Sequence, residues 1–378
     1  MCFLSVGFPK SYSSSMDKDG LMQKTGIEYL LGVNELHSRE FLELQEQRRI
    51  HRKRHPTEIA ALKCMDGRLH LPKMTETPLG IIQPYRNLGG KFDLGWPFFQ
   101  QAILKWFEYA ESKGRDCLIL VTYHYSRGEK HRGCKGFAYD TEAAREFSRN
   151  LKAQFDADFG PPRMKQPTGL YAMHVGIETD WDSLILHDES GQPHDLADFT
   201  EISDDKLLEL LCEWNPTIAE RAPNVLEDFV PVAKGNIAHI KKVRIADRKP
   251  TEIDHQEWVA FLGRGADWLH LPNTALIVGP WQPDLSEPIR IAASLIKSNL
   301  DNNSADAPIR RHGPVLMTSG IYYRTDTAEP YLAARKSKDL RDEAMKIIRA
   351  EVPDLLPHLK ILATTVNMNT RKFNVLKD

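Results

Sequence analysis

Residues 57–68 read Thr57-Glu58-Ile59-Ala60-Ala61-Leu62-Lys63-Cys64-Met65-Asp66-Gly67-Arg68. Residues 59–62 are a short apolar run, the pattern of a buried strand. That strand runs straight into Cys64, Asp66 and Arg68. Alternate residues of extended backbone share a face, so a thiol, a carboxylate and a guanidinium stand together at a strand end. A strand serving only the core would close in a turn without charges. A thiol so placed suits a zinc ion. A carboxylate two residues on can steer the metal's water, and the arginine can hold the carboxylate. The competing reading is plain. A single cysteine is most often a small buried hydrophobe, and Asp with Arg after a strand is often a surface pair. The other His and Cys residues must separate the two.

Downstream, residues 79–82 are a second apolar run leading into Tyr85-Arg86-Asn87-Leu88-Gly89-Gly90, whose paired glycines permit tight backbone. Residues 97–112 carry helical apolar periodicity with Pro97 in the first turn, and Gly114 ends the pattern. Residues 117–123 are a strongly apolar strand. Strand, strand, helix, strand with these connections predicts an α/β fold built on a mainly parallel sheet with flanking helices. Residues 141–156 predict another helix, 170–177 with 183–186 a hairpin across an acidic turn, and 204–214 a short helix carrying Cys212 into the core. Upstream, residues 37–54 read as a polar helix with Ser38 as N-cap and Pro56 as stop. A helix this polar needs something to lie on, such as a partner subunit. Residues 1–20 read as a loose tail.

The chain has 378 residues, enough for two or three domains with large cores. Its net charge of −2 argues against a general nucleic-acid binder. Arg48, Arg49, His51, Arg52, Lys53, Arg54 and His55 form a basic run, expected to be a solvated helix face, with an acidic partner as the alternative. Cys2, Cys64, Cys117, Cys134 and Cys212 are odd in number and scattered, which is no disulfide framework and suits a reducing compartment. Neither a secretory signal nor an uninterrupted apolar stretch of about 18 residues is evident, so a cytoplasmic location without membrane contact is expected.

His124 stands directly after the apolar strand 117–123, and Cys134 follows a polar loop. In an open α/β sheet, functional groups gather outside the carboxyl ends of strands. Cys64, His124 and Cys134 are donors suited to zinc, and three protein ligands leave a fourth place for water. His131 competes with His124 through its His-Arg-Gly-Cys spacing. The strand-end position favours His124, because a ligand belongs on a rigid element.

Cys64-Met65-Asp66-Gly67-Arg68, Arg86-Asn87-Leu88-Gly89, a helix, a strand, His124 and Cys134-Lys135-Gly136 together resemble a β-carbonic anhydrase over roughly residues 57–140. In that family Cys-x-Asp-x-Arg opens the site, and a His and a Cys complete the zinc shell. The usual spacing is His-x-x-Cys. The longer loop after His124 resembles the divergent carboxysome-shell type, and leaves His131 as a loop residue.

The C-terminal half reads as a decayed second copy, an internal pseudo-dimer. Residues 79–85 resemble 275–281, and 119–125 resemble 315–321 at the same spacing in sequence. Helical stretches at 286–299 and 337–351 answer those at 97–112 and 141–156. Val243 to Arg248 answer Lys63 to Arg68 only with an insertion. On this spacing Gly320 stands for His124 and Pro330 for Cys134, so the copy lacks a metal site. The carboxysome-shell type is similar in having one working half. It has a long N-terminal region that this chain lacks, which leaves a carboxysome association unsupported.

The expected organisation is residues 1–55 as tail and helical arm, 56–200 as zinc-binding catalytic domain, and 201–378 as pseudo-repeat domain. The resemblance implies reversible hydration of carbon dioxide to bicarbonate and a proton, with zinc generating hydroxide from its water. Asp66 would orient the hydroxide and Arg68 would hold Asp66 off the metal. A homodimer or higher homo-oligomer is expected. The rivals are a carbon disulfide or carbonyl sulfide hydrolase on the same scaffold, and a non-catalytic zinc-binding scaffold protein.

Overall fold

The computed structural model describes residues 24–160, 168–246, 254–265 and 273–377. The expected tail, and residues 247 and 248 of the Val243 to Arg248 comparison, lie outside them. Val243 to Ala246 end a long helix and so do not answer the strand at Lys63.

The chain opens with helices α1 (Gly26–Glu43) and α2 (Gln45–Arg54), followed by β1 (Glu58–Cys64) and the short α3 (Leu71–Met74). Then come β2 (Ile82–Asn87), α4 (Pro97–Glu111), β3 (Cys117–Tyr125), α5 (Thr141–Phe159), β4 (Leu170–Glu178), β5 (Ser183–His187) and β6 (Pro193–Asp195). Helices α6 (Asp204–Trp214), α7 (Pro216–Arg221) and α8 (Pro223–Ala246) follow. The remainder is β7 (Val259–Gly263), β8 (Ala275–Val278), α9 (Ser286–Asn302), α10 (Pro308–His312), β9 (Val315–Tyr322), α11 (Glu329–Glu351), β10 (Lys360–Asn367) and β11 (Lys372–Val375).

Two mainly parallel sheets result. The first has the order β2-β1-β3-β4-β5-β6 and the second β11-β10-β9-β7-β8. In the first, β2, β1, β3 and β4 run parallel, and β5 joins β4 antiparallel. In the second, β8, β7, β9 and β10 run parallel, and β11 joins β10 antiparallel. Every residue of β1 is buried, which is what a continuous apolar run in a sheet covered on both faces requires.

Ile119 and Val121 of β3 pack with Leu151 and Phe155 of α5, placing the odd-numbered residues of β3 on that helix's face. In β9 the even-numbered residues face the corresponding helix: the hydroxyls of Thr318 and Ser337 of α11 are 2.9 Å apart. A Cβ on Gly320 would come within 2.1 Å of the Ala333 carbonyl oxygen. Val315 therefore lies on the opposite face from Ile119, because one residue of slip turns every side chain over. Register disagrees as well. Ala275 is level with Val315 through Val259, whereas Ile119 is level with Gln83 through Ala60 and not with Leu79. The equal spacing seen in the sequence is thus not residue-by-residue equivalence, and Gly320 does not occupy the place of His124.

The N-terminal arm also differs from expectation. The helix begins at Gly26, takes in residues 27–31, and breaks at Leu44. Ser38 is buried inside it and donates to the Thr370 carbonyl rather than capping. Asn34 donates to the Arg371 carbonyl and accepts from the Phe373 N–H. The arm lies on this chain's own second sheet. Helices α6 to α8 lie against the first sheet, where Asn236 donates to the carbonyls of Met74 and Asp182. One apolar core runs through both sheets, from Ile59 and Leu120 to Phe261 and Met317.

The halves meet just beyond β1. The N–H of Ile277 donates to Met65 O, that of Asn273 to Gly67 O and that of Gly279 to Arg86 O. The second half therefore braces the turn that follows Cys64. Among the described residues no helix is long and apolar enough to cross a membrane.

Candidate metal centre

Cys64 is the last residue of β1, and His124 is the penultimate residue of β3. These strands are parallel neighbours, so their carboxyl ends open on the same side. Cys134 precedes a single helical turn, Lys135–Phe137, on the loop after β3. The fold brings the three together with their donor atoms all within 4.8 Å of one another. They are only 5%, 2% and 4% exposed.

The two sulfurs are 3.9 Å apart. Two Zn–S bonds of about 2.3 Å at a tetrahedral angle span about 3.8 Å. Neither ring nitrogen of His124 has a hydrogen-bond partner among the described residues, although both are buried. A buried imidazole left so is costly, and a metal ion would satisfy one of the two nitrogens. Two sulfurs, one imidazole and no fourth side chain in the group fit zinc with an open position. His131, the competing histidine, is on the exposed loop with its ring 3.1 Å from Glu129.

The thiols differ electrostatically. Burial would raise Cys64, but the Cys134 thiol and the charge of His124 outweigh it and hold Cys64 well below the ordinary thiol range. Cys134 is pushed well up, first by Cys64 and then by burial. The Gly89 N–H donates to Cys64 Sγ at 3.3 Å. This bond depends on two loops touching. A Cβ on Gly136 would lie 2.8 Å from the Gly89 nitrogen.

Asp66 and Arg68 are both buried and form a two-pronged pair. Arg68 Nε donates to Oδ1 at 3.0 Å and Nη2 to Oδ2 at 2.5 Å, while the Arg68 N–H donates to Oδ1 at 2.9 Å. Burial opposes the charge on Asp66, but Arg68 and His255 outweigh it and hold the carboxyl well below the usual range. Asp66 Oδ2 still comes within 4.0 Å of His124 Nε2. The turn is fixed from outside: Arg86 Nη2 donates to the carbonyls of Asp66 and Leu69, and Lys63 Nζ donates to Leu69 O.

Two residues of the site escape a sequence reading. His255 Nε2 lies 3.1 Å from Arg68 Nη2 and 3.8 Å from Asp66 Oδ2. Its Nδ1 lies 3.0 Å from Glu257 Oε2, and the other carboxylate oxygen, Oε1, accepts the Gly67 N–H at 3.1 Å. Burial would lower His255, but Glu257 outweighs it and raises the imidazole above its ordinary value. Both lie some 190 residues from the Cys-x-Asp-x-Arg stretch. The only local signal is a His-x-Glu leading into an apolar strand.

No known family pattern matches the chain, and no curated protein matches it either.

Proposed function

We propose that this chain is a zinc-dependent carbonic anhydrase of the β type, interconverting carbon dioxide and water with bicarbonate and a proton. Cys64, His124 and Cys134 would hold the ion. Zinc bound there supplies a Lewis acid that acidifies a water molecule. The observation that carries the reading is the Asp66–Arg68 pair beside three buried donors. A structural zinc needs neither residue, and it ordinarily has four protein ligands.

The residues then divide the work. Arg68 occupies both carboxylate oxygens of Asp66 and so keeps Asp66 from taking the fourth position. Asp66 would accept a hydrogen bond from the attacking water and so orient it towards the carbon. Lys63 and Arg86 hold the backbone turn that sets this aim. The proton produced must leave a buried pocket. We assign its uptake to His255, whose Nε2 lies 3.8 Å from Asp66 Oδ2 and would first have to give up the Arg68 Nη2 donor 3.1 Å away, with Glu257 stabilising the resulting imidazolium.

We further infer that the second half is a copy of the first without a metal site. The matching order of four parallel strands followed by one antiparallel strand, to which the first sheet adds β6, supports this. On this reading the copy has kept a role, since it supplies His255 and Glu257.

The experiment is zinc content measured beside carbon dioxide hydration by stopped flow. One zinc per chain with activity is expected, and Cys134→Ser should lose both together. His131→Ala should keep both. An inactive wild type with full zinc would overturn the enzyme reading in favour of a scaffold.

A further inference from the structure

A groove under the N-terminal arm concentrates positive charge away from the metal centre. It lies between α2, the end of α1, Arg115 and Met368-Asn369, with a volume of about 790 Å³. Arg48, Arg49, Arg52, Lys53 and Arg115 line it. Two carboxylates, Glu43 and Glu46, also line it against these five cations, and Glu46 is already held by Arg49 at 2.6 and 2.7 Å. Glu58, behind it, is held by Arg115 at 2.5 Å and lies 3.9 Å from Arg52.

Arg48 is the decisive residue. It is 5% exposed, so water does little to solvate its charge. Its Nη2 donates to the Phe41 carbonyl, and its guanidinium stacks 3.7 Å above the Phe41 ring. Its Nη1 is buried without a hydrogen-bond partner among the described residues. A second guanidinium, that of Arg371, lies 4.8 Å from the same ring. Burial, and then the charge of Arg52, pull Arg48 down to about 10. A basic run expected to be a solvated helix face therefore has one member turned inward without a counter-charge. An unpaired buried charge is destabilising unless something neutralises it.

We propose that this groove binds a dianionic oxyanion of the phosphate class, with Arg48 and Arg52 as its principal donors. Guanidinium forks match the oxygens of such an anion, two at a time. A dianion fits better than a monoanion, because the guanidinium groups of Arg48 and Arg52 both line the groove and Glu58, 3.9 Å from Arg52, is already engaged by Arg115. The volume also admits a phosphate carried on a small organic body. The site shares no residue with the metal centre, so it stands whether or not the proposed activity does.

The test is calorimetric titration of inorganic phosphate, and separately bicarbonate, into the full-length zinc-loaded protein at matched ionic strength. Saturable 1:1 phosphate binding is expected, tighter than bicarbonate. Arg48→Gln and Arg52→Gln should each weaken it about tenfold or more, as loss of a charge-assisted hydrogen bond does. Arg149→Gln, an exposed arginine on α5, should leave it unchanged. Arg52 is only partly buried, so its variant decides the matter if Arg48→Gln does not fold. No saturable binding, equal weakening by Arg149→Gln, or unaltered binding in Arg52→Gln would overturn the site. Bicarbonate is also the proposed product at the metal centre, so only the part of its binding lost in Arg52→Gln counts, and that part being tighter than phosphate would overturn the dianion assignment.

Discussion

His255 Nε2 lies 3.1 Å from Arg68 Nη2, although 187 residues separate them in the chain. This contact joins the second half of the protein to the carboxylate–guanidinium pair of the first. It makes a definite prediction. His255→Ala should keep zinc but slow hydration, within the 10²–10⁴-fold range of positioned acid–base groups. Imidazole buffer should restore part of the loss. A variant as fast as wild type in weak buffer would remove His255 from the proton path.

Asp66 and Arg68 should separate binding from chemistry. Arg68→Ala frees the carboxylate to close on the metal, so activity should fall with zinc retained. Asp66→Ala should keep zinc and lose orientation, again by 10²–10⁴-fold. Hydration rates normalised to zinc content check both. Equal rates for wild type and the two variants would sink the mechanism.

Gly136→Ala tests the support around Cys64. The new Cβ would stand 2.8 Å from the Gly89 nitrogen and push the two loops apart. That weakens the Gly89 N–H bond to Cys64 Sγ. Zinc affinity should drop about 10–100-fold, the usual cost of losing an outer partner of a ligand. Competition with a chelator measures it, and undiminished affinity would mean that the Gly89 bond is idle.

The protein should lose stability in mild acid. His174 is buried with its Nε2 2.8 Å from the Ser148 hydroxyl, and burial, then His187, pulls it down to about 3. His51 and His312 are each lowered to about 4, with burial the largest cause. A histidine whose folded value is depressed takes up its proton more readily in the unfolded chain. Its contribution is whole above about pH 6.5 and falls as pH drops towards the folded value. One such group gives a slope of at most about 1.4 kcal/mol per pH unit. His174→Gln should therefore flatten the loss of stability between pH 6 and 4, read from urea midpoints. An unchanged slope would show that His174 does not titrate in this way.

Much of the architecture is legible in the amino-acid order. The apolar runs at 59–62 and 117–123 lie within β1 and β3, and the periodic stretches after Pro97 and Asp140 form α4 and α5. These signals are local, because burial dictates residue type within each element. Cys64 and His124 could be nominated for the same reason, since each sits at the end of a readable strand, and Cys134 by its donor chemistry on the loop that follows.

What depended on distant packing was misread or missed. Ser38 looks like a cap in isolation, yet α1 continues through it because its polar face is matched by the backbone at Thr370 and Arg371. Arg48 belongs to a run that reads as solvated, and Phe41 turns it inward.

The sequence by itself pointed to α/β layering on mainly parallel strands and to three metal donors, Cys64 and His124 at strand ends and Cys134 on a loop, since hydrophobic period and donor chemistry are properties of neighbouring residues. Tertiary structure alone decided which face each second-half residue presents. It alone brought His255 and Glu257 to Arg68 and Gly67, and set Arg48 against Phe41. Those contacts join residues that the chain holds apart. Side-chain direction and loop approach reverse with a one-residue slip or a shifted helix start, and no local pattern records either.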